Sequence, residues 1–344
     1  MEKRVEKGGA KRYVLIMMVS VCLLLAGIVF AVCVGKYSVS PGESLQILFA
    51  KLFGRETGFP AMTENVVLGL RVPRILASVL VGAALSMSGA AYQGAFKNPL
   101  VSQDILGVSS GACIGAALAI LLSLTTGYIS LFAFLGGLVA ILLTTAIPVL
   151  LRNRSNIMLV LAGVIVGSAM SSVLGFLKYV ADPDTQLASI VYWTMGSFSY
   201  VKMETLAILS PLIIVPAIVL ISISWWIDVL SMGEDEARVL GANVNLVRGV
   251  SIACATLLTA SAVCLAGSIG WVGLIVPHFG RMLIGPGNRR LMPLSAVLGG
   301  LFMLMVDTAT RTIGVSEMPV SILTGVIGAP FYCFLLFRQR RSLS

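Results

Sequence analysis

The sequence predicts an all-α, polytopic membrane protein, and three observations lead there. Of 344 residues, 58% are hydrophobic and only 11% are charged, against about 25% charged in soluble domains. The charges gather in clusters between long apolar runs. Most of those runs approach the roughly 20 residues that a helix needs to cross the hydrocarbon core.

The first run, 13–35, follows a basic stretch containing Lys3, Arg4, Lys7, Lys11 and Arg12. It is longer than a signal-peptide core and has no convincing small-residue cleavage site, which predicts a retained first helix. Further runs fall at 67–91, 101–123, 129–151, 157–179, 203–226, 248–268, 271–286, 291–312 and 318–337. The eighth of the ten is short and interrupted. No stretch between them is long enough to fold as a soluble unit, so a single transmembrane domain spans 1–344. With the N-terminus inside, about 16 of the 24 Lys and Arg fall on the cytoplasmic side, including Arg152, Arg154, Arg289, Arg290, Arg338, Arg340 and Arg341. That asymmetry is the positive-inside bias. It places a multi-pass chain in the cytoplasmic (inner) membrane with both termini inside. The net charge of +9 is thereby a topology signal, and no nucleic-acid partner is expected.

Enzymatic signatures are missing. No Gly-rich phosphate loop ends in Lys-Ser or Lys-Thr, so P-loop nucleotide binding is not expected. His278 is the single histidine, and Cys22, Cys33, Cys113, Cys254, Cys264 and Cys333 lie in or at the ends of apolar runs without metal-ligand spacing. Packing is the expected role of these cysteines. No catalytic residue, cofactor site or metal site is expected. Asp307 stands out as a carboxylate deep inside a span, a functional candidate by default. Without a basic or histidine partner in view it makes a poor proton relay, and a polar contact to Thr308, Thr310 or a backbone group is the expected alternative.

Small residues mark close packing. Val81-Gly82-Ala83-Ala84 through Ser88-Gly89-Ala90-Ala91, and Gly107 through Gly115, let helix backbones approach. Gly89, Pro99 and Gly107 recur at constant offset as Gly267, Pro277 and Gly285. An odd number of spans separates the two sets, as in the inverted repeats of transporters. Segment 228–247 is the most distinctive polar stretch. Glu234, Asp235 and Glu236 precede a short helix that Gly241 can stop, because acids favour a helix N-terminus and glycine the left-handed cap. A short capped helix between two spans is a surface suited to a partner; an ordinary solvated loop is the alternative.

Four long motifs in the right order carry a family resemblance. RVPRILASVLVGAALSMSGAAYQGAFKNPLVSQDILGVSSGACIG at 71–115, YWTMGSFS at 192–199, GWVGLIVPHFGRMLIGPGNRRLMPLSAVLGG at 270–300 and EMPVSILTGVIGAPFYCFLLFR at 317–338 resemble the FecCD family. These are the permease subunits of type II ABC importers for ferric siderophores, haem and cobalamin. Gln103 departs from the family's usual proline.

The resemblance implies a ten-span permease bundle that dimerises, two identical chains being the simplest case, with its pathway along the two-fold axis. It implies two separate ABC ATPase subunits inside and a substrate-binding protein outside, with membrane lipid around the spans. Glu234, Asp235, Glu236, Ala237, Arg238, Leu240 and Gly241 then match the coupling helix that enters a cleft on the ATPase. Arg71, Arg74 and Arg311 match positions that dock the binding protein's carboxylates, a role suited to the planar guanidinium fork; snorkelling at the interface is the alternative. Asn98, Pro99 and Leu100, with Ser155 and Asn156, match a cytoplasmic gate, for which a helix cap and stop is the plainer role. Ferric siderophore is the leading cargo, with cobalamin, haem and molybdate as alternatives. The rival class is an ion-coupled secondary transporter.

Overall fold

The computed structural model describes residues 2–35, 37, 39–153, 155–313 and 316–340. Arg154 and Arg341 lie outside this set, as do the side chains of 2–9, 156 and 335–340, which include Lys3, Arg4, Lys7, Arg338 and Arg340. Among the described residues the regular structure is helical. In chain order it comprises α1 (Glu2–Cys33), α2 (Pro41–Leu52) and α3 (Ala61–Glu64), then a π-helical turn (Asn65–Arg71) leading into α4 (Val72–Phe96). There follow α5 (Val108–Leu121), α6 (Thr126–Leu150), α7 (Asn156–Val180), α8 (Gln186–Thr194), α9 (Met203–Met232) and α10 (Glu234–Val239). The series closes with α11 (Val244–Ala266), α12 (Val272–Ile284), α13 (Asn288–Thr312) and α14 (Val320–Arg340).

Seven helices among the described residues are long and apolar enough to cross a membrane, and three shorter apolar ones include α5 and α12 and the described part of α14. Together they match the ten expected runs one for one. The largest boundary correction is in the third run, whose first seven residues, 101–107, are not helical. Gly107 takes a left-handed conformation, φ 78°, and α5 starts only after it. Beyond the expected spans and the short α10, three helices among the described residues had no counterpart in the sequence reading. One of them, α2, opens on a capping box in which Ser40 Oγ accepts from Glu43 N–H and the Glu43 carboxylate accepts from Ser40 N–H. Its 12 residues cover about 18 Å, well short of a roughly 30 Å core. The other two, α3 and α8, are shorter still.

The core sits on α4, α11 and α13. Buried residues make up 56%, 78% and 61% of their apolar windows, against 17% in α1 and α7, which leaves those two at the periphery. Without a hydrophobic drive between helices in lipid, contact depends on backbone approach. At Gly82 an added Cβ would land on the Gly299 carbonyl, and at Gly89 on that of Gly273. These two glycines hold α13 and α12 against α4.

The six positions that suggested an internal repeat do not occupy equivalent local structures. Gly89 is mid-helix in α4, whereas Gly267 is a positive-φ terminator of α11 at 72°. Pro99 lies in a turn and Pro277 inside α12. Gly107 precedes α5, and Gly285 follows α12. What the two halves share is coarser: a largely buried span (α4, α11), a break, then a short helix (α5, α12). Of the cysteines, Cys113, Cys254 and Cys264 are buried as packing residues, while Cys22 and Cys333 are exposed and Cys33 is half-buried.

Candidate functional site

Three polar regions interrupt the apolar bundle, and all were anticipated in part. The first is the peg formed by α10. Ala237 is fully buried and packs with Val229, Leu230, Ala242 and Val244, fixing α10 under the ends of α9 and α11. Gly241, φ 84°, ends the helix, with Gly241 N–H donating to the Arg238 carbonyl and Ala242 N–H to that of Ala237. Glu234 pairs with Arg248 of α11, and this hydrogen bond holds its carboxyl below the usual glutamate range. Arg238 stands 3.8 Å from both Glu234 and Asp235. The outward surface carries an apolar patch: Val239 is 88% exposed, and Met232, Leu240 and Leu246 are exposed beside it. Glu236 is also exposed.

Behind the peg, Asp228 near the end of α9 accepts three hydrogen bonds from the start of α13. They come from Asn288 N–H at 2.6 Å, Asn288 Nδ2 at 2.9 Å and Arg289 N–H at 3.2 Å. A carboxylate on free N–H groups at a helix N-terminus meets both unsatisfied donors and the positive end of the dipole. Sequence reasoning missed this role of Asp228, whose partner lies 60 residues away.

The second region is on the opposite face. Arg71, Arg74 and Arg311 are only 4%, 8% and 5% exposed. They neither snorkel nor reach outward. Arg71 donates to the carbonyls of Val32 at 2.6 Å and Tyr37 at 2.7 Å, and Arg311 to that of Ala31 at 2.8 Å. Two arginines thereby satisfy carbonyls at the C-terminal end of α1, where cations are favoured. Arg74 Nε–H is shared between the two Asp307 oxygens at 2.9 and 3.1 Å, Nη2 stands 2.8 Å from one of them, and Nη1 reaches Glu317 at 2.8 Å. Arg311 stands 3.6 Å from Asp307. The expectation of an acid without basic partners is corrected here: Asp307 sits between two guanidiniums. Thr308 and Thr310 do not bond its carboxylate, since each hydroxyl donates to a backbone carbonyl, of Leu304 and Asp307 respectively. The four-residue spacing of Asp307 and Arg311 on one helix was a usable signal.

The third region is the turn after α4. Lys97 takes a left-handed conformation, φ 53°, and Asn98 Oδ1 accepts from Leu100 N–H at 2.9 Å. Pro99 and Leu100 are exposed. Ser155 caps α7 by accepting from Met158 N–H at 3.3 Å, while the Asn156 side chain lies outside the described residues. No hydrogen bond joins the 98–100 turn to Ser155 among the described residues. Further along, Gln103 is fully buried with neither side-chain heteroatom bonded. It lies against Gly273, whose carbonyl accepts from Gln93 Nε2 at 3.0 Å.

Many apolar spans, a braced peg and breaks inside the bundle suit a membrane permease. Residues 23–338 match the FecCD transport family, and the chain belongs to it. It is 37% identical over 320 residues to the molybdate import system permease protein MolB of Haemophilus influenzae, covering 93% of this chain and 94% of that one. It is also 37% identical over 305 residues to the cobalamin import system permease protein BtuC of Halobacterium salinarum, with 88% and 81% covered. The hemin transport system permease protein HmuU of Yersinia pestis is 36% identical, with 81% and 85% covered. Among solved structures, an inward-facing putative metal-chelate type ABC transporter superposes with a TM-score of 0.84 at 34% identity, covering 94% of this chain and 99% of that chain. The chain is a permease subunit of a type II ABC importer.

Proposed function

We propose that this chain forms one half of a dimer-axis conduit that imports a metal chelate, with ferric siderophore as the leading cargo. Two ATPase subunits work on the cytoplasmic side, where α10 and both termini lie, and a binding protein delivers cargo on the other. The observation that carries the reading is the peg. An apolar tip of Met232, Val239 and Leu240 stands exposed while its root is packed, ion-paired and tied through Asp228 to α13. Exposed apolar surface on a rigid base is what a partner's cleft would cover. Closure of the ATPases would press on α10 and shift the spans it is tied to.

The buried arginines support a different part for the opposite rim than direct contact. Arg71, Arg74 and Arg311 position the end of α1 and the α13–α14 connection, and the rim so shaped is where the binding protein would rest. The turn at Asn98, Pro99 and Leu100, with Ser155 and Asn156, is assigned to the cytoplasmic gate. Asp307 gives no support to an ion-coupled carrier, because Arg74 and Arg311 neutralise it.

Cobalamin, haem and molybdate remain the alternative cargoes, since relatives named for each share similar identity with this chain. The test is ATP-dependent uptake of labelled ferric siderophore, cobalamin, haem and molybdate by the complex in proteoliposomes. Uptake of the siderophore alone supports the leading cargo. ATP-independent uptake by the chain on its own would replace the importer reading with the carrier.

A further inference from the structure

The stretch between α4 and α5 re-enters the bundle. Gln103 lies beside Gly273 and the Leu85 carbonyl, and Leu85 is eleven residues before the end of α4 at Phe96, about 16 Å along a helix. A second ruler agrees. Gly163 packs on the Ile105 carbonyl and Gly167 beside that of Asp104. These glycines lie seven and eleven residues into α7, about 10 and 16 Å from its start. The chain therefore turns at 97–100 and climbs back, and Asp104 stands well inside the spans.

At that depth Asp104 is exposed in the single chain even though protein surrounds it closely. One carboxylate oxygen accepts from the Ser109 hydroxyl at 2.7 Å. The other has no partner, and no cation pairs with Asp104 among the described residues. A lone carboxylate at this level is costly against hydrocarbon, and irregular backbone is tolerated there only when buried or lining water. The neighbouring flank of α7 exposes Ser168, Ser171 and Ser172 among the apolar Leu161, Val164 and Ile165, so hydroxyls as well as hydrocarbon border the carboxylate.

We propose that Asp104 faces the conduit and screens cargo by charge. It repels free oxyanions and favours metal chelates whose periphery is neutral or cationic and donates hydrogen bonds. The inference rests on the importer reading and narrows its cargo class. In a two-fold dimer two such carboxylates would face the same passage, so the effect on an anion is doubled.

The test measures uptake of a neutral ferric hydroxamate chelate and of molybdate by the reconstituted complex carrying the parent chain, Asp104→Asn or Ser109→Ala. Asparagine keeps an acceptor for Ser109 and removes only the charge. The expected result is a rise of about tenfold in the molybdate-to-chelate ratio with Asp104→Asn and no change with Ser109→Ala. An unchanged ratio in an actively transporting Asp104→Asn complex would sink this inference alone, as would an equal shift with Ser109→Ala. ATP-independent transport, or none, by the parent would sink the importer reading first. As a cargo-independent measure, Asp104→Cys with the six native cysteines replaced by serine should react with a membrane-impermeant thiol reagent in the assembled complex. Complete protection would also overturn the proposal.

Discussion

The two faces of this bundle each carry arginines paired with acids, yet they are built to opposite ends. On the rim, Asp307 is fully buried between Arg74 and Arg311. On the peg, Asp235 is 94% and Arg238 62% exposed, and only Glu234, half-buried, also reaches the more enclosed Arg248. Burial decides what the charges do. An exposed pair is worth about 0–1 kcal/mol and holds nothing rigidly. A buried pair contributes little net stability over apolar packing, but it cannot lose one member without leaving an uncompensated charge. The rim network is therefore a lock, whereas the peg's charges decorate a shape that packing has already set.

The sharpest way to break this contrast is Asp307→Ala. It should cost about 3–5 kcal/mol and lower the thermal unfolding temperature in detergent or abolish folded yield. A variant as stable as the parent would show that the rim is no lock. Next comes the peg's tip. Val239→Glu combined with Leu240→Glu should leave thermal stability unchanged while cutting ATP-driven uptake by about thirtyfold, the scale of an interface hot spot. If both stability and uptake fall together, the tip is packing and not a partner surface.

Asp228→Ala sharpens the comparison from between the two faces. Losing a helix-terminus acceptor costs about 1 kcal/mol, and uptake should fall more than that stability loss explains. Calorimetry and transport on the same preparation separate the two effects. The smallest effect concerns pH. Because the Arg248 hydrogen bond lowers the Glu234 pKa, its contribution is present above the ordinary glutamate range and fades as pH falls through the folded value. At this exposure it amounts to a few tenths of a kcal/mol. Glu234→Gln should flatten that acid limb of the stability profile, and an unaltered limb would show that the pair is not formed in solution.

Much of the fold was legible because hydrocarbon allows so few solutions. Ten apolar runs became seven long and three short apolar helices, and the acidic 234–236 stretch with Gly241 foretold a short capped helix. What escaped depended on distance along the chain or on irregular backbone. Arg74 meets Asp307 across 233 residues, so neither periodicity nor local spacing could join them. Charge near a span end reads the same in sequence whether it faces water or turns inward. Asp104 was hidden because 101–107 runs directly into the apolar stretch that becomes α5, and only the left-handed Gly107 and the packing on α7 reveal a re-entrant segment. Asp228 was visible as an acid but not as a clamp.

That clamp makes α13 a tie-rod. Its 25 residues reach about 37 Å, gripped at one end by Asp228 and at the other by the guanidiniums of Arg74 and Arg311. While both grips hold, pushing on α10 cannot stay a local event. On the proposed coupling role of α10, a push there would be carried along α13 to the α1 terminus and the Glu317 connection, about 30 Å away by the same helical rise.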